Sequence, residues 1–322
     1  MNFFKSLVIF SMTLIVFSCA EVKKETENIV KLDFTEYTGN LSSGTIKRID
    51  SFPSKYVRPR TVDIWLPTNY SETKKYAVLY MHDGQMLFDA ESTWNKQEWK
   101  VDEIVGELQE QSKIKDCIVV AMWNHSDIRH SDYYPQKPFD LLPKKFKDSI
   151  LSEGEKQFGT SFKGLQSDNY LKFIVEEVKP FIDAKFSVFT TPENTFIAGS
   201  SMGGLISMYA LCEYPKVFGG SACLSTHWVG FMPQEKSVVP ESFFKYLVQN
   251  LPSVKNHKIY FDYGTETLDK FYLPFQNRVN EVLLLKGYDS INSKNLKFEG
   301  HDHSENSWNK RFQIPVEFLL NK

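Results

Sequence analysis

A serine lies in a glycine-rich pentapeptide where a strand pattern gives way to a helix pattern. Gly199, Ser200, Ser201, Met202 and Gly203 fit G-x-S-x-G, a turn that exposes its central serine above the edge of a sheet. The flanking positions must be small because the strand and the next helix come nearly into contact. Ser201 would also stand at a helix N-terminus, which favours negative charge. The pattern is typical of a nucleophilic serine; a plain turn or a phosphate-binding loop is the alternative.

Candidate partners for this serine follow it in the chain. A serine hydroxyl is a weak nucleophile, so acyl chemistry needs a histidine base and a carboxylate that orients it, in the order Ser, Asp or Glu, His. Glu266 and Asp269 follow the strand pattern KIYFDYG, and His301 and His303 follow the next strand pattern. The residues alone leave both carboxylates and both histidines open.

The triplet His301, Asp302 and His303 could instead hold a metal ion together with His82 and Asp83. Two histidines two positions apart on an extended strand point to the same side, so the geometry is possible. Ligation would, however, occupy the histidine that a serine hydrolase needs as a free base. We therefore expect neither a metal nor an organic cofactor.

Strand and helix patterns alternate along most of the chain, which predicts an α/β fold with a mostly parallel central sheet and helices on both faces. Ligands bind beyond the carboxyl ends of such strands, so the polar residues after each strand should converge on one rim. Two long stretches, 124–166 and 226–252, break the alternation and are interpreted as cap insertions. The strand patterns are RTVDIWLP, YAVLYMHDG, DCIVVAMWN, NTFIAGSS, GGSACLST, HKIYFDYG and NLKFEGHDH.

Four motifs in order resemble the "Putative esterase" family of the α/β-hydrolase superfamily, the esterase D-like group that includes feruloyl, acetyl-xylan and siderophore esterases. Besides G-x-S-x-G, YMHDGQMLFD is similar to H-D-G-x-x-x-F-D, WNHSDIRHSDYYP to N-x-x-x-x-R-x-x-[DE]-Y-x-P, and GHDHSENSW to G-x-x-H-x-E-x-x-W. The resemblance covers about residue 60 to the end. It implies an α/β-hydrolase fold with Ser201 as nucleophile, His303 as base, and Asp269 as acid with Glu266 in reserve.

The rest of the expected site follows from the strand ends. The oxyanion hole should combine the backbone N–H of Met202 with that of Gln85 or Gly84. We expect His82 to brace this turn, and Arg129 to pair with Asp132 or with another carboxylate beneath the site. Binding of an acidic substrate group is the alternative role for Arg129. The residues expected around the substrate pocket are His82, Asp83, Trp123, Arg129, Tyr133, His227 and Trp228.

The first 19 residues have the pattern of a signal peptide, with one lysine and an apolar run from Ser6 to Phe17. The run ends in VFSC, which resembles a bacterial lipoprotein box and implies lipidation of Cys19. Cleavage near Ala20 without lipidation, or an uncleaved anchor, is the alternative. We expect a cell-envelope lipoprotein on the periplasmic or outer-membrane side, with residues 20–45 as a tether and 46–322 as the esterase domain.

The composition of the chain limits the kinds of partner that it is expected to bind. The 322 residues carry a formal net charge of −2, and no Lys/Arg block is interleaved with aromatics, which argues against a nucleic-acid partner. The three cysteines after Cys19 have no metal-like spacing and lie in apolar segments, so we expect buried small hydrophobic residues. We expect the membrane to be reached only through the lipid anchor.

The resemblance implies a serine carboxylic-ester hydrolase that acts through an acyl-enzyme. Acyl esters of carbohydrates are the expected substrates, because an envelope lipoprotein meets polysaccharides. A siderophore or lactone esterase and an acyltransferase with the same triad are alternatives. From a different class, a catalytically silent binding lipoprotein on a hydrolase scaffold would also fit the fold.

Overall fold

Nine strands form one sheet in the part of the chain that the computed structural model describes, residues 32–230 and 237–322. The strands are β1 (Thr35–Glu36), β2 (Thr45–Phe52), β3 (Arg60–Leu66), β4 (Ala77–Met81), β5 (Cys117–Met122), β6 (Thr195–Ser200), β7 (Gly220–Leu224), β8 (Lys258–Tyr263) and β9 (Ser293–Lys297). Their order is β1-β2-β3-β5-β4-β6-β7-β8-β9. In this order, the six strands from β5 to β9 are parallel to one another. At the other end of the sheet, β1 is antiparallel to β2, β2 to β3, and β3 to β5.

Helices cover both faces of this sheet. They are α1 (Val101–Glu110), α2 (Arg129–Tyr133), α3 (Gln136–Asp140), α4 (Lys144–Phe158), α5 (Ser167–Lys172), α6 (Lys179–Lys185), α7 (Met202–Glu213), α8 (Val239–Asn250), α9 (Leu273–Leu285) and α10 (Glu305–Leu319). A π-helical turn, Phe173–Val178, joins α5 to α6. The predicted α/β fold with a mostly parallel sheet is confirmed, and each of the seven strand patterns forms a strand.

Two apolar layers hold the sheet in place. Successive side chains of a strand point to opposite faces: Val78 and Tyr80 of β4 pack into one buried cluster, and Leu79 and Met81 pack into the other. The first cluster includes residues of α5 to α9, and the second includes residues of α1 and α10. Because both faces are buried, β4 reads as a continuous apolar run and not as an alternating one.

The two stretches interpreted as insertions contain helices. Residues 124–166 include α2, α3 and α4, and residues 226–252 include α8. The first stretch follows β5 at the carboxyl end of the sheet, so α2 lies close to the rim where ligands bind in such folds.

The domain boundary differs from the prediction. The compact unit spans Leu32–Lys322, so residues 32–45 belong to it and not to a tether. Asn40 donates its backbone N–H to Asp89 Oδ2 at 3.1 Å, and the N–H groups of Ser42 and Ser43 bond to Asp102 Oδ2 at 2.6 and 3.2 Å. These long-range bonds give no signal in local composition.

The predicted signal peptide, the predicted lipidation site Cys19 and residues 20–31 of the predicted tether lie outside the described residues. In residues 32–230 and 237–322, none of the helices has the length and apolar character needed to traverse a bilayer. Cys117, Cys212 and Cys223 are free thiols buried in the core.

Candidate active site

The turn between β6 and α7 holds Ser201 in a strained backbone conformation. Its φ is 57° and its ψ −122°, in a region that residues other than glycine rarely adopt. The Ser201 N–H donates to Leu224 O at 2.9 Å, which ties the turn to β7. A Cβ at Gly199 would lie 2.8 Å from the backbone carbonyl carbon and oxygen of Gly203. This close approach explains the glycine, and the turn has the geometry that G-x-S-x-G predicts.

His303 and Asp269 lie side by side, 34 positions apart in the chain. His303 Nδ1 is 2.5 Å from Asp269 Oδ1. Asp269 is buried, whereas the side chain of Glu266 is exposed. The ring of His301 is engaged elsewhere, with Nδ1 3.3 Å from Ser307 O. Of the two carboxylates and two histidines that the residues alone left open, the structure therefore brings Asp269 and His303 together.

Hydrogen bonds keep the Asp269 carboxylate ionised. Its Oδ2 accepts from the Gly264 N–H at 2.6 Å and from the Ser225 hydroxyl at 2.5 Å. Burial by itself raises the pKa of Asp269, but the hydrogen bond and charge of His303 and the bonds from Ser225 and Gly264 outweigh burial and lower this pKa below its ordinary value. A negative charge is thus held against the imidazole.

The start of α10 orients the His303 ring. Ser304 is the N-cap residue and accepts a hydrogen bond from the Ser307 N–H. The His303 ring lies edge-on to Trp308 at 5.1 Å and to Tyr272 at 6.0 Å between centroids. The backbone N–H of His303 donates to Thr267 Oγ1 at 2.9 Å. These contacts fix the direction in which the imidazole faces.

A second charged layer, which sequence reasoning missed, lies behind Asp269. Arg311 makes two hydrogen bonds to Asp262, at 3.0 and 3.1 Å, and donates to the Ser225 hydroxyl at 2.7 Å. The side chains of Arg311 and Asp262 are both 0% exposed. A carboxylate within the apolar pattern KIYFDYG, and an arginine three positions after Trp308 on the same helix face, were the available signals.

On the other side of Ser201, the turn after β4 is held by a different ion pair. Arg129 makes two hydrogen bonds to Asp83, at 2.8 and 2.7 Å, and Asn124 Nδ2 adds a third at 2.7 Å. Burial raises the pKa of Asp83, but the charge and hydrogen bonds of Arg129 outweigh it and leave this pKa lowered. Of the two expected partners of Arg129, Asp132 or another carboxylate, the structure has the second, because Asp132 pairs with buried Arg60 at 2.9 Å.

This turn contains the two candidates for the second oxyanion donor. Asp83 has a φ of 58°, and a Cβ at Gly203, which follows the Ser201 turn, would lie 3.3 Å from Asp83 Oδ2. At Gly84 a Cβ would lie 2.8 Å from Trp123 Cδ1, so only glycine fits there without a shift. Gln85 is half-buried, and its Oε1 accepts from the Asn124 N–H at 3.2 Å. The turn after β4 is thus packed closely against both the Ser201 turn and β5.

His82 supports this turn from below. It is 1% exposed, and its Nδ1 lies 2.8 Å from the Tyr170 hydroxyl. Burial lowers the pKa of His82 to about 3, so the ring is neutral near pH 7. This agrees with a bracing role and not with contact to substrate.

Several residues expected around the substrate pocket are buried instead. Trp228 is 0% exposed and packs on Phe243, Phe244 and Phe261, so its assignment to the pocket is wrong. Tyr133 is 0% exposed as well, and it lies beneath the turn, where its hydroxyl accepts from the Asp83 N–H at 3.3 Å. Both side chains pack in the aromatic core, because burial of a large ring is more favourable in free energy than its exposure at the rim of the sheet.

Other residues expected around the pocket lie near the turn after β4 or near the Ser201 turn. Trp123 and Arg129 are half-exposed. His227 is mostly buried, but its backbone N–H donates to Ser201 O at 3.2 Å and its Nδ1 lies 2.8 Å from the Tyr272 hydroxyl. Met202, the expected oxyanion donor, begins α7 directly after Ser201.

Comparison with known proteins places the chain among esterases. The family model "Putative esterase" matches residues 54–315. A carboxylesterase of Arabidopsis thaliana is 32% identical over 128 residues, which are 38% of this chain and 54% of that protein. With the Bacillus subtilis protein YbbA the match covers 58% of that protein, so the chain spans a little over half the length of these two curated relatives.

Solved structures share the fold at lower identity. A ferulic acid esterase superposes with a TM-score of 0.62 at 17% identity, over 87% of this chain and 99% of that chain. The enterobactin esterase of Shigella flexneri superposes with a TM-score of 0.59 at 13% identity, over 85% of this chain and 58% of that one. The α/β-hydrolase-type fold of these enzymes is therefore the fold of this chain.

Proposed function

The chain belongs to the "Putative esterase" family, and on that premise we propose that it is a serine carboxylic-ester hydrolase with Ser201 as nucleophile, His303 as base and Asp269 as acid. One observation carries the proposal: His303 Nδ1 lies 2.5 Å from a buried Asp269 carboxylate, in a fold whose strained turn presents Ser201. These are the three roles that acyl transfer by a serine requires.

The chemistry follows from these positions. Ser201 Oγ attacks the ester carbonyl carbon while its proton passes to His303 Nε2, and the Asp269 carboxylate stabilises the resulting imidazolium. The backbone N–H of Met202, with that of Gln85 or Gly84, stabilises the oxyanion of the tetrahedral intermediate. The intermediate then expels the alcohol, which takes the proton from His303. Water attacks the acyl-enzyme by the same route, releasing the acid and restoring Ser201.

We propose acyl esters of carbohydrates as the substrate class. The ferulic acid esterase with which the fold superposes supports this choice by analogy. Export and lipidation at Cys19 are part of the same proposal, since such an anchor would hold the enzyme near envelope or external polysaccharides. An acidic siderophore ester is the second candidate, because the enterobactin esterase shares the fold.

The first experiment is a substrate panel with paired variants. The purified full chain, Ser201→Ala, His303→Ala and Asp269→Asn are assayed on p-nitrophenyl esters and on acetylated and feruloylated oligosaccharides. We expect Ser201→Ala and His303→Ala to lose roughly a thousandfold or more in kcat, and Asp269→Asn a comparable factor, because triad members act as a unit.

Each variant has a matched control nearby in the chain. Ser200→Ala, His301→Ala and Glu266→Gln change the same residue types outside the proposed triad, and we expect them to stay within severalfold of the unaltered protein. Full activity of Ser201→Ala would refute the nucleophile. If no ester is hydrolysed and a fluorophosphonate probe does not label Ser201, the silent binding protein is the better description.

A further inference from the structure

Tyr272 contacts residues on both sides of the proposed site of acyl transfer. It follows the 3₁₀ turn Asp269–Phe271 and precedes α9, and its backbone N–H donates to Asp269 O at 2.9 Å. Its ring centroid lies 6.0 Å from that of His303, and the two rings are nearly perpendicular, at 79°. Its hydroxyl lies 2.8 Å from His227 Nδ1. This side chain therefore lies between the candidate acid and base and the loop after β7, and the proposed mechanism gives it no role.

His227 connects Tyr272 to the nucleophile turn. It belongs to the loop after β7, and its backbone N–H donates to Ser201 O at 3.2 Å. The preceding residue, Thr226, packs on the first turn of α7, where a Cβ at Gly204 would lie 3.0 Å from Thr226 Oγ1. Because there is so little space between this loop and α7, a displacement of His227 would also displace the Ser201 turn.

The relative position of Ser201 and His303 is set by the residues that lie between them. Among the described residues, the hydrogen bonds of His303 run to the loop after β8, which includes Asp269 and Tyr272. Those of Ser201 run to β7, to α7 and to His227. The contact between Tyr272 and His227 therefore joins the part of the site that holds the base to the part that holds the nucleophile.

Tyr272 is the donor in its hydrogen bond with His227. Tyr272 is 0% exposed, and burial, together with the charge of Asp269, raises the pKa of its hydroxyl well above its ordinary value, so the hydroxyl keeps its proton. In the described part of the chain, His227 Nδ1 is its one hydrogen-bond partner. If the hydroxyl accepted from Nδ1, its own hydrogen would be buried without an acceptor, which is unfavourable. His227 Nδ1 is therefore the acceptor, and Nε2 of this ring carries the proton.

From these contacts we propose that Tyr272 is a positioning residue for ester hydrolysis, acting through His227. Its hydroxyl holds His227, and thereby the Ser201 turn, at the distance from His303 at which Ser201 Oγ can pass its proton to Nε2. A misplacement of reacting groups by about 1 Å can lower a rate roughly a hundredfold, so a smaller shift is enough to be measured. The role rests on the proposed esterase function and adds to it a residue that touches no reacting atom.

The first test removes the Tyr272 hydroxyl and keeps the ring beside His303. In the full chain, we expect Tyr272→Phe to lower kcat on p-nitrophenyl acetate roughly tenfold and to leave KM within about twofold. The reason is that the geometry of proton transfer changes, whereas the groups that bind the ester do not.

Tyr288→Phe is the matched control. Tyr288 is 2% exposed, and its hydroxyl donates to Pro252 O at 3.1 Å, so this variant also loses one buried hydrogen bond. The midpoints of urea denaturation of Tyr272→Phe and Tyr288→Phe should therefore fall alike. We expect kcat of Tyr288→Phe to stay within about twofold of that of the unaltered chain. Equal kcat values for the two variants overturn the positioning role.

A double-mutant cycle tests the route through His227. Once the imidazole is removed in His227→Ala, the Tyr272 hydroxyl has no partner to act on. Adding Tyr272→Phe to His227→Ala should therefore lower kcat no further. A further loss as large as that in the unaltered background contradicts a route through His227.

A spectroscopic measurement tests the same contact without an ester and without His227→Ala. In the full chain labelled with ¹⁵N-histidine, the nitrogen resonances of His227 show which ring nitrogen carries the proton. We expect an unprotonated Nδ1 whose resonance shifts in Tyr272→Phe and stays unchanged in Tyr288→Phe. A protonated Nδ1 in the unaltered chain overturns the proposal.

The two measurements together separate failure of the positioning role from failure of the esterase function. Hydrolysis with equal kcat in Tyr272→Phe and Tyr288→Phe would leave the esterase standing and the positioning role refuted. A chain that hydrolyses no ester but shows the expected state of His227 would refute the esterase. The hydrogen bond would then stand, and its role in the reaction would fall with the reaction.

Discussion

Two arginine–aspartate pairs flank the Ser201 turn, and they differ in their access to water. Arg311 and Asp262, behind the candidate acid, have side chains that are both 0% exposed. Arg129 and Asp83, behind the candidate oxyanion turn, have side chains that are 27% and 12% exposed. Each arginine makes two hydrogen bonds to its carboxylate, so the pairing chemistry is the same.

The difference shows that the same kind of ion pair can serve a different purpose on each side of Ser201. In the dry pair, the desolvation of the charges is offset by the partner, by neighbouring hydrogen bonds and, for Arg311, by Asp269 Oδ2 at 3.8 Å. That pair therefore anchors Ser225 and, through it, Asp269. Around the partly exposed pair, water can replace part of a lost contact, so this pair can position the candidate oxyanion turn without being indispensable to the fold.

The largest expected effect comes from breaking the dry pair. Arg311→Met leaves the Asp262 carboxylate buried without its cation, so we expect the free energy of unfolding to fall by about 3–5 kcal/mol. Urea denaturation measures it. Arg311→Met combined with Asp262→Leu should regain part of the loss, because the orphaned charge is gone. A loss below about 1 kcal/mol in the single variant would show that water reaches Asp262.

Breaking the partly exposed pair should lower stability less and catalytic activity more. Arg129→Met leaves Asp83 with Asn124 and some solvent, so we expect a loss of about 1–2 kcal/mol. We expect kcat to fall further than KM rises, since the turn with the candidate oxyanion donors shifts. Arg129→Lys is the matched control, because it keeps the charge but not the two-pronged contact. A stability loss equal to that of Arg311→Met would contradict the comparison.

The smallest effect should come from the hydroxyl that joins the dry pair to the acid. Ser225→Ala removes three hydrogen bonds of Ser225 Oγ, the one that it donates to Asp269 and those that it accepts from Arg311 and from Trp308 Nε1, while both charges keep other partners. We expect about 1 kcal/mol of stability and a severalfold fall in kcat on p-nitrophenyl acetate. Ser221→Ala, a buried serine in β7 on the same sheet, should leave kcat unchanged. Equal kcat values for the two variants would mean that Ser225 does not position Asp269.

Local sequence patterns predicted much of the fold and part of the candidate site. Alternation of strand and helix patterns predicted the sheet, and G-x-S-x-G predicted the strained turn, because dihedral preference and periodicity are properties of neighbouring residues. The helix α10, which begins two positions after His303, was not predicted. Its sequence contains Pro315, and a proline interrupts the pattern by which a helix is recognised.

Contacts between residues that lie far apart in the sequence could not be predicted from those patterns. Trp228 was expected at the pocket but lies in an aromatic core formed with α8 and β8. Residues 32–45 were expected to be a tether but pack on the domain. In both cases the deciding partner lies far away in the sequence, where composition gives no information about it.

The sequence by itself determined the α/β class, the strained turn at Ser201 and the set of candidate acids and bases, since each depends on short stretches of chain. Only the tertiary structure decided that Asp269 and not Glu266 meets His303, that Arg129 pairs with Asp83 and not Asp132, and that Arg311 reaches Asp262. The last pair is 49 positions apart. Packing of whole elements sets such distances, and a hydrogen bond or ion pair forms only where packing brings the partners within about 3 Å.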